Sequence, residues 1–248
     1  MKKHITSIAL AFALLLPAVA QAQKGEATKP EPQINMRTGE VGVSWWERHA
    51  ELVKRAQAGG FDIMFIGDSI THQWERQGKD VWAAKLAPLG AKAFGIGGDR
   101  TENLLWRLQW GLLDGKSDAK LFVMMIGTNN TGHRMDKPAD IAAGVKACIG
   151  EIQKRKPDAK ILVLAIFPRG ADAGNKSRLN NEAANKLIQK FADGKKVYYA
   201  DIGNVFLTKE GVIEKSVMPD LLHLTADSYN LWADAVIPEI QKIIPEKK

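Results

Sequence analysis

Ser69, His223 and Asp220 are the residues of this 248-residue chain whose types and spacing suit nucleophilic chemistry. Ser69 stands in Gly67-Asp68-Ser69-Ile70, just past a strand-like run at 61–66. A serine hydroxyl is a poor nucleophile at neutral pH. It needs a neutral imidazole to take its proton and a carboxylate to hold that imidazole in the right tautomer. The distant segment Asp220-Leu221-Leu222-His223-Leu224-Thr225 offers both. Around one turn, a carboxylate three positions before a histidine can accept from Nδ1–H and leave Nε2 facing the serine. By residue type alone, a serine in a Gly-Asp-Ser turn is more often a helix cap than a nucleophile. The distant Asp/His pair is what raises Ser69 above that reading, with Asp201 as the rival carboxylate. His72 is too close in sequence to Ser69 for a long-range triad, His49 falls in a helical pattern, and His133 is placed to line the site.

Two more loops carry groups that can stabilise developing negative charge. Gly95-Ile96-Gly97-Gly98-Asp99-Arg100 resembles a dinucleotide fingerprint but has Arg100 where the third glycine belongs. Its glycines instead let the backbone approach a bound group closely, with the Gly98 N–H as a candidate oxyanion donor. In Gly127-Thr128-Asn129-Asn130 the Asn129 amide is a neutral donor, able to hold negative charge without protonating it. Two adjacent asparagines equally suit an ordinary turn.

These loops must be brought together by the elements between them. Strand patterns fall at 62–66, 91–94, 121–126, 160–166 and 197–200, and helical patterns at 45–58, 81–86, 101–113, 138–155, 179–192 and 227–244. Continuously apolar strands alternating with helices predict an α/β fold, a parallel sheet covered on both faces. Sites in such sheets collect at the carboxyl ends of the strands. Ser69, Gly98, Asn129 and Arg169 each follow one of the first four strands, so that edge predicts their convergence.

The rest of the chain sets the frame. Lys2 and Lys3 followed by an apolar run at 8–16 and a small-x-small pattern ending at Ala20 or Ala22 predict a cleavable signal peptide over 1–22, hence an exported, periplasmic or secreted protein. No stretch is long enough for a comfortable membrane span. Residues 23–41, polar and carrying Pro30 and Pro32, read as a flexible lead-in to a single domain over 42–248. The formal charge of +7 is spread over both signs with no basic stripe, which argues against a nucleic-acid partner. Cys148, the single cysteine, excludes an intramolecular disulfide and reads as a small core residue.

With these residues in place, the chain resembles the SGNH hydrolases, also called the GDSL esterase/lipase superfamily. The likeness rests on Gly67-Asp68-Ser69-Ile70, Gly97-Gly98-Asp99, Gly127-Thr128-Asn129-Asn130 and Asp220-Leu221-Leu222-His223-Leu224-Thr225. Leu105-Trp106-Arg107-Leu108 and Phe167-Pro168-Arg169-Gly170 further liken it to the platelet-activating-factor acetylhydrolase Ib catalytic-subunit group. One departure is Ala93, where many relatives carry Asn. The resemblance implies a three-layer α/β/α sandwich, flavodoxin-like, with five parallel strands. It also implies an oxyanion hole made by the Ser69 and Gly98 N–H groups and the Asn129 side chain, and a homodimer.

The expected function is therefore an exported serine esterase cleaving short-chain, acetyl-type esters of a small or carbohydrate carrier through an acyl-enzyme. No metal or organic cofactor is required for that chemistry. A lysophospholipase or thioesterase of the same superfamily is the nearest alternative. An α/β-hydrolase is disfavoured because Thr71 replaces the last glycine of its nucleophile elbow. A flavin-binding protein would leave Asp220 and His223 without a role. A non-catalytic carbohydrate-binding module, using Trp74, Trp82, Trp106 and Trp110, would leave the serine, base and oxyanion donors unexplained.

Overall fold

A computed structural model describes residues 26–34, 38–115 and 118–244. The signal peptide read over 1–22 lies outside them. Five strands, β1 (Ile63–Gly67), β2 (Ala91–Gly95), β3 (Leu121–Met125), β4 (Lys160–Leu164) and β5 (Val197–Ala200), form one parallel sheet in the order β2-β1-β3-β4-β5. Every residue of β1 and β3 is buried, as expected of central strands covered on both faces.

Two apolar layers flank the sheet. One is packed by α1 (Val43–Ala58), α4 (Thr101–Arg107), α6 (Pro138–Arg155) and α7 (Lys176–Ile188), through Leu52, Leu104, Ile141, Val145, Ile152 and Ala184. Cys148 is buried in this layer. The other is packed chiefly by α8 (Ala226–Ile243), whose Tyr229, Trp232 and Val236 meet Phe65, Trp74 and Leu86. The result is the expected α/β/α sandwich.

In register, Gly67 pairs with Gly95 on one side and Met125 on the other, so the first three strands end level. At Gly95 a Cβ would lie 2.2 Å from the His72 nitrogen. Glycine there lets the turn carrying Ser69 lie directly on the neighbouring strand.

Two short helices were not foreseen: α2 (Ser69–His72) and α5 (Thr128–Arg134), which open at the candidate residues. Neither is long enough to show a periodic pattern. The pattern at 81–86 is instead a short helix, α3 (Lys79–Val81), running into tighter and wider turns up to Leu89. The pattern at 101–113 breaks at Trp110 and Gly111, whose backbones leave the helical region. Residues 26–34, within the stretch read as a flexible lead-in, lie against the domain. Thr101 Oγ1 donates to the Ala27 carbonyl at 2.9 Å, Asn103 Nδ2 to that of Glu31 at 3.1 Å, and Gln33 Nε2 to that of Gly97 at 3.1 Å. Among the described residues no helix is long and apolar enough to cross a membrane.

Candidate active site

Asp68 ends the first turn of the site. Its Oδ1 accepts from the Ile70 N–H at 3.0 Å and so caps α2, a role the sequence reading had weighed for Ser69 itself. Ser69 then opens the helix with its side chain free, and its Oγ lies 2.9 Å from His223 Nε2. His223 Nδ1 lies 2.6 Å from Asp220 Oδ2. The three residues are thus in hydrogen-bonded sequence across 154 positions of chain.

The Asp220–His223 segment is an irregular turn rather than a helix. Asp220 Oδ1 accepts from the backbone N–H of Leu222 at 3.1 Å and of His223 at 2.7 Å, while Oδ2 meets the ring. Leu221 sits at φ 60°, an uncommon conformation for a non-glycine residue. Its N–H donates to Met218 and its carbonyl accepts from Gly170, which holds it there. Partial burial raises the Asp220 pKa, but the hydrogen bonds from His223 and Leu222 outweigh it and leave the carboxyl below its ordinary value. It is therefore anionic at neutral pH and fixes the imidazole with Nδ1 protonated and Nε2 as acceptor. Thr225 closes the segment by capping α8 through the Ser228 N–H at 3.3 Å.

Gly98 and Asn129 face the same edge. Gly98 has φ +80°, a conformation glycine adopts without strain. Asn129 is buried, and its Nδ2 donates to the Asp99 carbonyl at 3.0 Å, which ties the Gly98 and Asn129 loops together. An amide nitrogen carries two hydrogens, so one remains for a bound oxygen. Among the described residues neither the Ser69 nor the Gly98 N–H has a backbone acceptor.

Beneath these loops lies a buried polar frame that the sequence reading did not anticipate. Asp99 accepts from Trp45 Nε1 at 2.7 Å, and its other oxygen lies 2.7 Å from Arg107 Nε, a charge contact not aligned as a hydrogen bond. Arg107 also donates to the carbonyls of Phe94 and Gly67 at 2.9 and 3.1 Å, bracing the ends of β2 and β1. Asn130 turns away from the site: its Oδ1 accepts from the Thr101 N–H at 2.9 Å, and its Nδ2 reaches Glu102 and Asp136. The adjacent asparagines thus divide two tasks, Asn129 toward the site and Asn130 toward the frame. Arg169 donates to the Thr128 carbonyl at 2.8 Å and so braces the loop that carries Asn129.

The other candidates lie outside this hydrogen-bonded sequence. Asp201 accepts from the Gly203 N–H at 3.0 Å in its own turn. The His72 ring is held near pKa 4 by burial and then by Arg48, which leaves it neutral. His133 is exposed, its Nδ1 3.4 Å from Arg100 Nη1. Of the tryptophans, Trp74 is buried and Trp110 is exposed. Among the described residues no cluster of side chains suits a metal ion.

Comparison with known proteins identifies the family. A model of the GDSL-like lipase/acylhydrolase family matches residues 65–231. The human platelet-activating factor acetylhydrolase IB subunit alpha1 is 32% identical over 211 residues, 84% of this chain and 86% of that protein. Solved structures share the fold. A GDSL-like lipase from Bacteroides thetaiotaomicron has a TM-score of 0.63 at 17% identity, covering 80% of this chain and 96% of its own. Est24, a carbohydrate acetylesterase from Sinorhizobium meliloti, has a TM-score of 0.58 at 18% identity, covering 74% and 100%. With its motifs at the ends of a shared parallel sheet and two thirds of its length within the family's pattern, this chain is a carboxylic ester hydrolase and belongs to the GDSL-like lipase/acylhydrolase family.

Proposed function

We propose that the protein is an exported serine esterase that removes short acyl groups, acetyl above all, from a polar carrier of carbohydrate type. The observation that carries the mechanism is the Ser69–His223–Asp220 sequence at 2.9 and 2.6 Å. Neutral His223 accepts the Ser69 proton as Oγ attacks the ester carbonyl. The tetrahedral oxyanion is held by the Ser69 and Gly98 N–H groups and by the free Asn129 amide hydrogen. The C–O bond to the alcohol then breaks, and the alcohol leaves with the proton from His223. Water repeats the steps on the acyl-enzyme, releasing the acid and restoring Ser69.

An acetyl group is favoured by the name and 32% identity of the human acetylhydrolase subunit. A polar carrier is favoured by the surroundings of the site. Asp220 is 56% and His223 30% exposed in their side chains, so the carbonyl is approached from solvent rather than through an apolar tunnel. A cleft of about 500 Å³ opens beside Gly97, lined by Gln33, Arg48, His72, Glu75 and Arg76. Export is supported by the basic and apolar composition of residues 1–22. The mass of the protein recovered from the cell envelope tests it; an intact N-terminus there would count against cleavage.

Ser69→Ala tests the mechanism. It should abolish p-nitrophenyl acetate hydrolysis with an unchanged circular-dichroism spectrum, whereas retained turnover would exclude Ser69 as nucleophile. A panel of p-nitrophenyl esters of rising chain length, with acetylated xylan and a lysophospholipid, tests the substrate. A rate that peaks beyond butyrate or on the lysophospholipid would reject the short-acyl reading.

A further inference from the structure

Away from the catalytic edge, α1 and the segment after α4 present an aromatic face. Trp46 is 50% and Trp110 61% exposed, and the half-buried Trp106 lies between them. Ring centroids are 5.5 Å apart for Trp46–Trp106 and 6.1 Å for Trp106–Trp110, the latter pair only 22° from parallel. Exposing two large indoles forfeits the burial free energy such residues otherwise contribute, and patches of this kind mark binding surfaces.

The display of Trp110 is built rather than incidental. The helix is broken at this residue, with Trp110 at φ −117°, ψ 76° and Gly111 at φ +100°. A Cβ at Gly111 would stand 2.8 Å from Val53 Cγ2, so the break packs closely on α1. His49 Nε2 lies 2.8 Å from the Trp110 carbonyl and must donate to it. Burial first, and then Arg107, hold this ring near pKa 4, so it is a neutral donor at physiological pH.

The rings border a groove of about 660 Å³ whose floor includes Ala50 and Val53 and whose polar lining is Lys54, Gln57, Gln109 and the Asp114–Arg155 ion pair. Flat indole faces flanked by amide, carboxylate and guanidinium groups match a pyranose, which offers C–H groups on its faces and hydroxyls around its rim. The face also adjoins elements that border the site. Trp45, adjacent to Trp46, donates to Asp99 of the oxyanion loop, and α4, which carries Trp106, begins two residues after Asp99.

We propose that the Trp46–Trp106–Trp110 face is a glycan-binding platform that holds a polysaccharide chain outside the catalytic site. The inference goes beyond the esterase reading and does not depend on it, because binding is measured without turnover. Native gel electrophoresis through soluble xylan, mannan or barley β-glucan, using both the wild type and Ser69→Ala, should show retardation by at least one polymer. Trp46→Ala and Trp110→Ala should each weaken it by about tenfold, and their combination should abolish it. Trp110→Phe should retain part of the binding. All should keep p-nitrophenyl acetate kcat/KM within about twofold of wild type, since neither ring touches the reacting groups. Retardation by none of the polymers, or retardation unchanged in the double variant, overturns the proposal. So does light scattering that finds a dimer which Trp110→Ala converts to monomer, because the face would then be a self-interface.

Discussion

Replacing Asn129 by alanine separates the structural role of this side chain from the donor role proposed for it. One amide hydrogen ties the Gly98 and Asn129 loops by donating to the Asp99 carbonyl at 3.0 Å, and the second is the proposed donor to the substrate oxyanion. Losing a single oxyanion donor lowers kcat by about 10²–10³, or ~2.7–4 kcal/mol of transition-state stabilisation. Losing the tie leaves a buried carbonyl without its partner, at about 1–3 kcal/mol of folding stability. For a domain of this size that corresponds to a Tm lower by roughly 2–4 °C per kcal/mol. Steady-state hydrolysis of p-nitrophenyl acetate and a thermal melt therefore report on different roles. The donor role predicts a fall in kcat with KM little changed, since the oxyanion exists only in the transition state. If Asn129→Ala melts earlier but keeps kcat within about threefold of wild type, the amide is a loop tie alone and the proposed hole is wrong.

Gly98→Ala should lower kcat while the protein still folds. The φ of +80° costs an L-residue roughly 1–2 kcal/mol, whereas the nearest obstacle, Gln33 Nε2 at 2.6 Å, is a flexible side-chain end that can withdraw. Gly95→Ala should instead fail to give soluble folded protein, because its Cβ meets the His72 backbone nitrogen at 2.2 Å; normal yield and melting would refute this packing argument. Asp68→Asn should change how stability depends on pH. Burial first, and then Asp99, push Asp68 up to about 7, so between roughly pH 4 and 7 the folded protein keeps a proton that the unfolded chain has released. Stability from this group is present below that window and lost as pH rises through it, by something on the order of 4 kcal/mol in all. Asparagine does not titrate and can still accept from the Ile70 N–H, so denaturant unfolding at pH 5 and 8 should show a smaller decline than in wild type. Identical declines would mean that Asp68 is already ionised at pH 5.

The strands and the candidate residues were legible for one reason: both depend on local chemistry. A run such as Leu121-Phe122-Val123-Met124-Met125 is apolar at every position because both faces of the sheet are covered, and no surface strand reads that way. Asp220 and His223 are close in sequence and close in space. The frame under the oxyanion loops was illegible for the converse reason. Arg107, Glu102 and Asp99 are fully buried, yet charged residues in a sequence read as surface by default. Their partners lie up to 54 positions away, as with Trp45 and Asp99. The ordered contacts of residues 26–34 were hidden in the same way. Polar composition with two prolines reads as flexible, whereas the hydrogen bonds that hold the segment come largely from Thr101 and Asn103 on another element.

The distribution of carboxyls around Ser69 suits what the proposed reaction must avoid as well as what it needs. A full negative charge beside the oxyanion would oppose the charge that develops there, and in a buried site the opposition is poorly screened. Asp220, whose charge orients His223 in the proposed mechanism, is on the solvent side with its side chain 56% exposed, and its charge is stabilised by three hydrogen-bond donors. Asp99 is fully buried, but it meets Arg107 and Trp45, while its own backbone carbonyl, not its carboxylate, faces Asn129. Asp68, directly before Ser69, has one oxygen without a partner among the described residues, and burial raises its pKa to about 7, so it is largely protonated below that pH. In the proposed mechanism the groups offered to the attacked carbonyl are then neutral donors, namely the Ser69 and Gly98 N–H groups and the Asn129 amide. An arrangement of that kind stabilises a transient anion without having to reorganise when it appears.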